Sequence, residues 1–86
     1  MSLDLISAKD VLSFIRQGNA VVIDLREKEA FLKRHIPGAV SMPFDSFDMK
    51  NPLLKMYDQI ILCCDRGAAS LSLGRRLSEH GFSVFS

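Results

Sequence analysis

Apolar positions change period several times along this chain, and each change marks an element. Ala8, Val11, Leu12 and Ile15 recur at the spacing of one helix face. Ser7 stands at the N-cap place with Asp10 three residues later, a capping-box spacing with Asp where Glu is preferred. Ile6 and Val11 occupy the two places of a hydrophobic staple, and Gly18 supplies the stop. The helical period then gives way to "NAVVIDLR". Its Val21, Val22, Ile23 and Leu25 form a nearly unbroken β-rich run, which suits a parallel strand covered on both faces. "REKEAFLKRH" reads as a short helix, with Ala30, Phe31 and Arg34 inside one or two turns. Ile36-Pro37-Gly38 breaks it, because the residue before a proline is pushed out of the α region.

"AVSMP" predicts a brief strand, and "FDSFDMKNPLLKMY" predicts one or two helical turns broken at Asn51-Pro52. "DQIILCC" is a central strand and "RGAASLSLGRRLSEHG" a helix. Gly81 fits the C′ place of that helix, with Leu77 and Phe82 where a Schellman ending sets a hydrophobic contact. "FSVFS" is a last strand. Strands and helices alternate, so the predicted fold class is α/β, an open, mainly parallel sheet of about five short strands flanked by helices. No repeat or low-complexity segment interrupts the chain, and residues 1–86 read as one domain.

Composition narrows the function classes. The hydrophobic fraction is 48% and the net charge is +1, with the charges interspersed, so nothing marks a nucleic-acid or anionic-membrane partner. No apolar run approaches the roughly 18 residues of a membrane span. "MSLDLISAKD" lacks the basic and apolar regions of a secretory signal. The two cysteines, Cys63 and Cys64, are neighbours and close no useful disulfide loop, and two thiols fall short of a four-ligand zinc site. Nothing in the spacing of His35 and His80 completes such a set, so no metal and no cofactor are expected. The thiols read as reduced, in a cytoplasmic setting.

Cys64 falls where the central strand stops and a helix begins. Functional groups gather at the carboxyl ends of strands in open parallel sheets. Gly67 allows unusual torsions, and Ala68, Ala69 and Ser70 have little bulk, so successive N–H groups can turn toward one centre. The positive end of the following helix adds to this. Such surroundings favour a thiolate and make it nucleophilic at neutral pH. Asp65 opposes that effect and Arg66 assists it. The competing reading makes Cys64 a small buried hydrophobe, as unpaired cysteines often are. Position and loop composition alone leave both open. Cys63, inside the strand, is expected to pack.

"VVIDLREKEAFLKRHIPGAVSMPF" followed by "IILCCDRGAASLSLGRRLSEHGFSVF" resembles a single-domain rhodanese, the thiosulfate sulfurtransferase family. "IDLRE", "HIPGAVSMP" and "CDRGAAS", in this order and spacing, carry the resemblance from about Ile6 to Phe85. It implies that Cys64 is the catalytic residue, carrying a persulfide between a sulfur donor and a thiol, cyanide or carrier-protein acceptor. It also implies that Asp65, Arg66, Gly67, Ala68 and Ala69 form the cradle; with Ser70 these are the candidate substrate-binding residues. By the same resemblance Asp24, Arg26 and His35 are mainly architectural. His80 reads instead as a cation at a helix end.

The sequence departs from the family's pattern twice. Ala69 stands where the family's loop often ends in an arginine that holds an anionic donor. The family's glycine-rich turn and C-terminal, tryptophan-containing helix have no counterpart here. Either the chain is cut short or a dimer forms through the exposed C-terminal sheet region. A cysteine-dependent phosphatase or arsenate reductase would need an arginine closing the loop to clamp its oxyanion; Ala69 and Ser70 stand there instead. A non-catalytic rhodanese-like binding or regulatory module is the other alternative, against which the retained cysteine and small-residue loop argue.

Overall fold

The computed structural model describes residues 3–4, 18–65 and 67–86. Five strands occur among them: β1 (Leu3–Asp4), β2 (Ala20–Asp24), β3 (Val40–Ser41), β4 (Gln59–Cys63) and β5 (Val84–Phe85). They form one sheet in the order β1-β5-β4-β2-β3, with every pairing parallel. The predicted α/β class and parallel sheet therefore hold. The helix predicted from Ser7 to Gly18 lies outside the described residues. β1 was not anticipated, because a two-residue strand carries no period to read. β5 is paired on both sides, to β1 and to β4.

The apolar runs became the middle of the sheet because both of its faces are covered. In β2, Val21 and Ile23 point to one face and Val22 to the other, all at most 4% exposed. β4 repeats the arrangement with Ile60 and Leu62 against Ile61. The larger core joins these side chains to Leu54, Leu73, Leu77 and Val84. The smaller gathers Ala20, Ile36, Ala39, Cys63 and Phe85 around Val22 and Ile61.

Two helices are described, α1 (Lys28–Lys33) and α2 (Ala68–Glu79). α2 follows β4 and buries Leu73 and Leu77 in the larger core. Its end has the predicted geometry. Gly81 takes φ 90°, its N–H donates to the Ser78 carbonyl, and the Phe82 N–H donates to the Leu77 carbonyl. The His80 ring adds a 2.7 Å contact from Nδ1 to the Arg76 carbonyl. α1 is shorter than the predicted 26–35 segment and buries no residue. Arg34 is already extended, and the Arg26 guanidinium donates to its carbonyl. Residues 44–46 and 52–55 form single 3₁₀ turns. The second starts where the break was read, at Pro52, and the Asn51 side chain accepts from the Leu53 N–H at 2.9 Å.

The chain leaves β2 toward β3 on one side and returns to place β4 on the other. Such a reversal opens a crevice at the carboxyl ends of the two strands. Here the ends are Asp24 and Cys63, in direct register.

Candidate active site

The residue after β4 is Cys64. Period two places its side chain on the larger core's face, with Ile60 and Leu62, whereas Cys63 packs on the opposite face. The next turn exists because Gly67 takes φ 76°, ψ −22°, a left-handed conformation that glycine adopts without steric cost. The Gly67 N–H donates back to the Cys64 sulfur at 3.0 Å, and the glycine's torsion turns the chain after it into the helix. Gly67 is also the N-cap of α2, and its carbonyl accepts from the Leu71 N–H. The sulfur thus meets both a backbone donor and the positive end of a twelve-residue helix.

Ser70 completes the arrangement from below. It is 2% exposed, lies 3.2 Å from the Cys64 sulfur and donates to the Gly67 carbonyl at 3.1 Å. The Ser86 hydroxyl stands 2.9 Å from its oxygen. With its own proton on Gly67, Ser70 accepts from the neutral thiol. A thiolate can be met by turning the same hydroxyl proton toward sulfur.

A pocket of about 440 Å³ opens above the thiol. Cys64, Asp65, Ala68 and Ala69 line it from the loop side; Leu25, Ala30, Pro43 and Phe44 add apolar surface. Glu27 and Asp45 also stand on its lining. Of the seven site residues read from the sequence, Cys64, Asp65, Ala68 and Ala69 come together on this pocket. Gly67 and Ser70 instead support the sulfur from behind, and Arg66 lies outside the described residues. Sequence reasoning missed Glu27, Asp45 and Ser86. No local motif marks them, since the turn after β3, the start of α1 and the last strand bring them in from elsewhere.

Asp24 and Arg26 frame the crevice. Arg26 binds Asp24 through Nε at 3.0 and 3.1 Å and through a terminal nitrogen at 2.8 Å, while its backbone N–H donates to the same carboxylate at 2.9 Å. Burial works to raise the Asp24 pKa, but the bonds from Arg26 outweigh it and hold the carboxyl below its usual value. Arg26 also reaches the Arg34 carbonyl, so one side chain ties the end of β2 to the end of α1. His35 stacks on Phe31 at 3.8 Å, its Nδ1 lying 2.7 Å from the Phe31 carbonyl. A second pocket, of about 500 Å³, lies between Arg34, His35, Pro37 and the two cysteines.

The cysteines differ in environment although they are neighbours. Burial pushes the Cys63 thiol up, and the Asp24 carboxylate beside it in register adds to the shift. Iodoacetamide labelling near neutral pH, with each cysteine followed by peptide mass, is expected to modify Cys64 well before Cys63. Equal rates at the two positions would show that the loop donors do not activate the sulfur.

Among the described residues, no group of three His, Cys, Asp or Glu side chains is placed to hold a metal ion, and no helix is long and apolar enough to cross a membrane. The family model described as Rhodanese-like domain matches residues 7–86. The chain is 33% identical over 61 residues to the "Putative sulfur carrier protein YrkF" of Bacillus subtilis, covering 71% of this chain and 33% of that protein. It is 30% identical over 69 residues to a tRNA sulfurtransferase of Desulfurococcus amylolyticus, covering 80% of this chain and 14% of that protein. The chain thus spans a third or less of these relatives. A solved structure, the BH2092 protein from Bacillus halodurans, superposes with a TM-score of 0.76 at 26% identity, covering 95% of this chain and 64% of that one.

Proposed function

Because the chain belongs to the rhodanese-like domain family, we propose that it is a sulfurtransferase that carries a sulfane sulfur as a persulfide on Cys64. The Cys64 thiolate attacks the outer sulfur of a donor such as thiosulfate. A new S–S bond forms, the donor's S–S bond breaks, and sulfite leaves with the electron pair. A thiophilic acceptor, whether cyanide, a small thiol or a carrier protein, then takes the outer sulfur and releases Cys64 as the thiolate. The sulfur changes carriers with no external oxidant or reductant.

One observation carries this reading: the Gly67 N–H aimed at the Cys64 sulfur, 3.0 Å away, at the head of α2 and beneath an open pocket. A donor fixed in place before the reaction stabilises developing negative charge without reorganisation. The names of the two relatives, a sulfur carrier and a sulfurtransferase, point the same way. The test is incubation with thiosulfate and, separately, with a small organic persulfide, followed by intact and peptide mass. One added sulfur on Cys64, removed again by cyanide, is expected. Failure of both donors to load Cys64 overturns the proposal.

Ala69 lines the pocket where the resemblance calls for a cation. Ala69→Arg is therefore expected to raise kcat/KM for thiosulfate about tenfold, since a charged hydrogen bond contributes about 1.5–3 kcal/mol. Unchanged thiosulfate kinetics in a folded variant would remove donor charge from the account.

A further inference from the structure

The pocket above Cys64 has an unbalanced lining. Glu27, Asp45 and Asp65 place three carboxylates on it. Among the described residues Arg26 is the one cation there, and the buried Asp24 carboxylate already neutralises it through the 2.8 Å ion pair. The described lining therefore presents net negative charge in front of a nucleophile that must itself be anionic to react. A dianion such as thiosulfate would approach against that field. A donor or acceptor carrying an ammonium or other cationic group near its sulfur would be drawn in.

We infer that Glu27, Asp45 and Asp65 make this site selective for cationic or neutral sulfur carriers over anionic ones, which rests on the sulfur-transfer reading and specifies its substrate class. The apolar part of the lining, Leu25, Ala30, Pro43 and Phe44, suits the short carbon chain joining such a group to the reacting sulfur. The second pocket is balanced instead: Asp24 and Asp65 stand on its lining with Arg26 and Arg34. Arg34 and His35 belong to this second lining alone, whereas Cys64, Asp65 and Arg26 stand on both. The pocket that holds Glu27 and Asp45 is thus the more acidic of the two that reach Cys64.

Three small persulfides that differ only at one end provide the test: 2-aminoethyl, 2-hydroxyethyl and 2-carboxyethyl persulfide. In each, the Cys64 thiolate attacks the outer sulfur, the S–S bond breaks, and the organic sulfur leaves as a thiolate that takes up a proton. Loading of Cys64 is followed by mass at low salt and at about 1 M salt, where the Debye length is about 3 Å. The expected order is amino, hydroxyl, carboxyl, with about a tenfold spread at low salt that collapses at high salt. Glu27→Gln with Asp45→Asn, both exposed in the folded protein, is expected to flatten the series. Similar rates for all three persulfides overturn the inference and leave sulfur transfer standing. So does a fastest carboxyl donor that slows on Arg34→Ser, because the anion then enters from the second pocket. No loading of Cys64 by any of the three overturns both readings.

Discussion

Cys64→Ser is expected to lose sulfur transfer by a factor on the order of 10⁴ or more, as removal of a nucleophile does in covalent catalysis, while the protein stays folded. A hydroxyl occupies nearly the same space and can still accept from the Gly67 N–H and meet Ser70, so stability should move by no more than about 1 kcal/mol. What is lost is the capacity to be an anion at neutral pH and to hold a second sulfur atom. Cys63→Ser is the control. It exchanges a half-buried thiol on the other face and should alter stability more than turnover. Steady-state turnover and persulfide mass on both variants check the pair. Persistent sulfur uptake by Cys64→Ser would move the chemistry to Cys63 and sink the assignment.

Arg26→Ala is expected to cost about 3 kcal/mol at neutral pH, because it leaves a buried carboxylate without its cation. Asp24 is 3% exposed, and with Arg26 gone only a backbone N–H among the observed partners remains. The pH dependence separates this cause from lost packing. In the native protein the Asp24 pKa is lowered, so the pair's contribution is fully present above the unfolded carboxylate value of about 3.9 and fades as the pH falls through the folded value. In the variant, desolvation is left to dominate and raises that pKa, so acid relieves the buried charge. Denaturant titrations at about pH 7 and about pH 3 should therefore show the gap between the two proteins shrinking on the acid side. A gap that stays constant would assign the effect to the lost hydrogen bond to the Arg34 carbonyl instead.

The parts of the fold visible in the sequence are those whose cause is local. The runs around Val21–Leu25 and Ile60–Leu62 became strands because their continuous apolar pattern fits a sheet covered on both sides. Leu77, Gly81 and Phe82 announced their helix ending by spacing alone. Cys64 and Gly67 were legible as a pair, since a strand end, a glycine and a helix start leave few ways to run the chain. The pocket's other wall was not. Glu27 and Asp45 look like ordinary solvated charges in sequence, and they acquire meaning only because residues on two separate connections meet over β4. Ser86 is likewise mute until β5 lies beside β4 and carries its hydroxyl to Ser70. Ser70 showed only its small size, whereas its hydrogen bonds depend on the helix turning it under the sulfur.

The two thiols at the end of β4 are identical in sequence and adjacent, yet one residue step of the pleat sends them to opposite faces. Their chemical difference is thus one of parity: even-numbered residues of this strand end above the helix and odd-numbered ones above Asp24. A single insertion or deletion within residues 59–63 would exchange their addresses without changing either side chain. The sheet would resist it, since the same shift would rotate Ile60 and Leu62 away from α2. The hydrophobic alternation that holds β4 in place therefore also works as a reading frame, in which a strand's packing decides which of two equal cysteines is offered to a substrate.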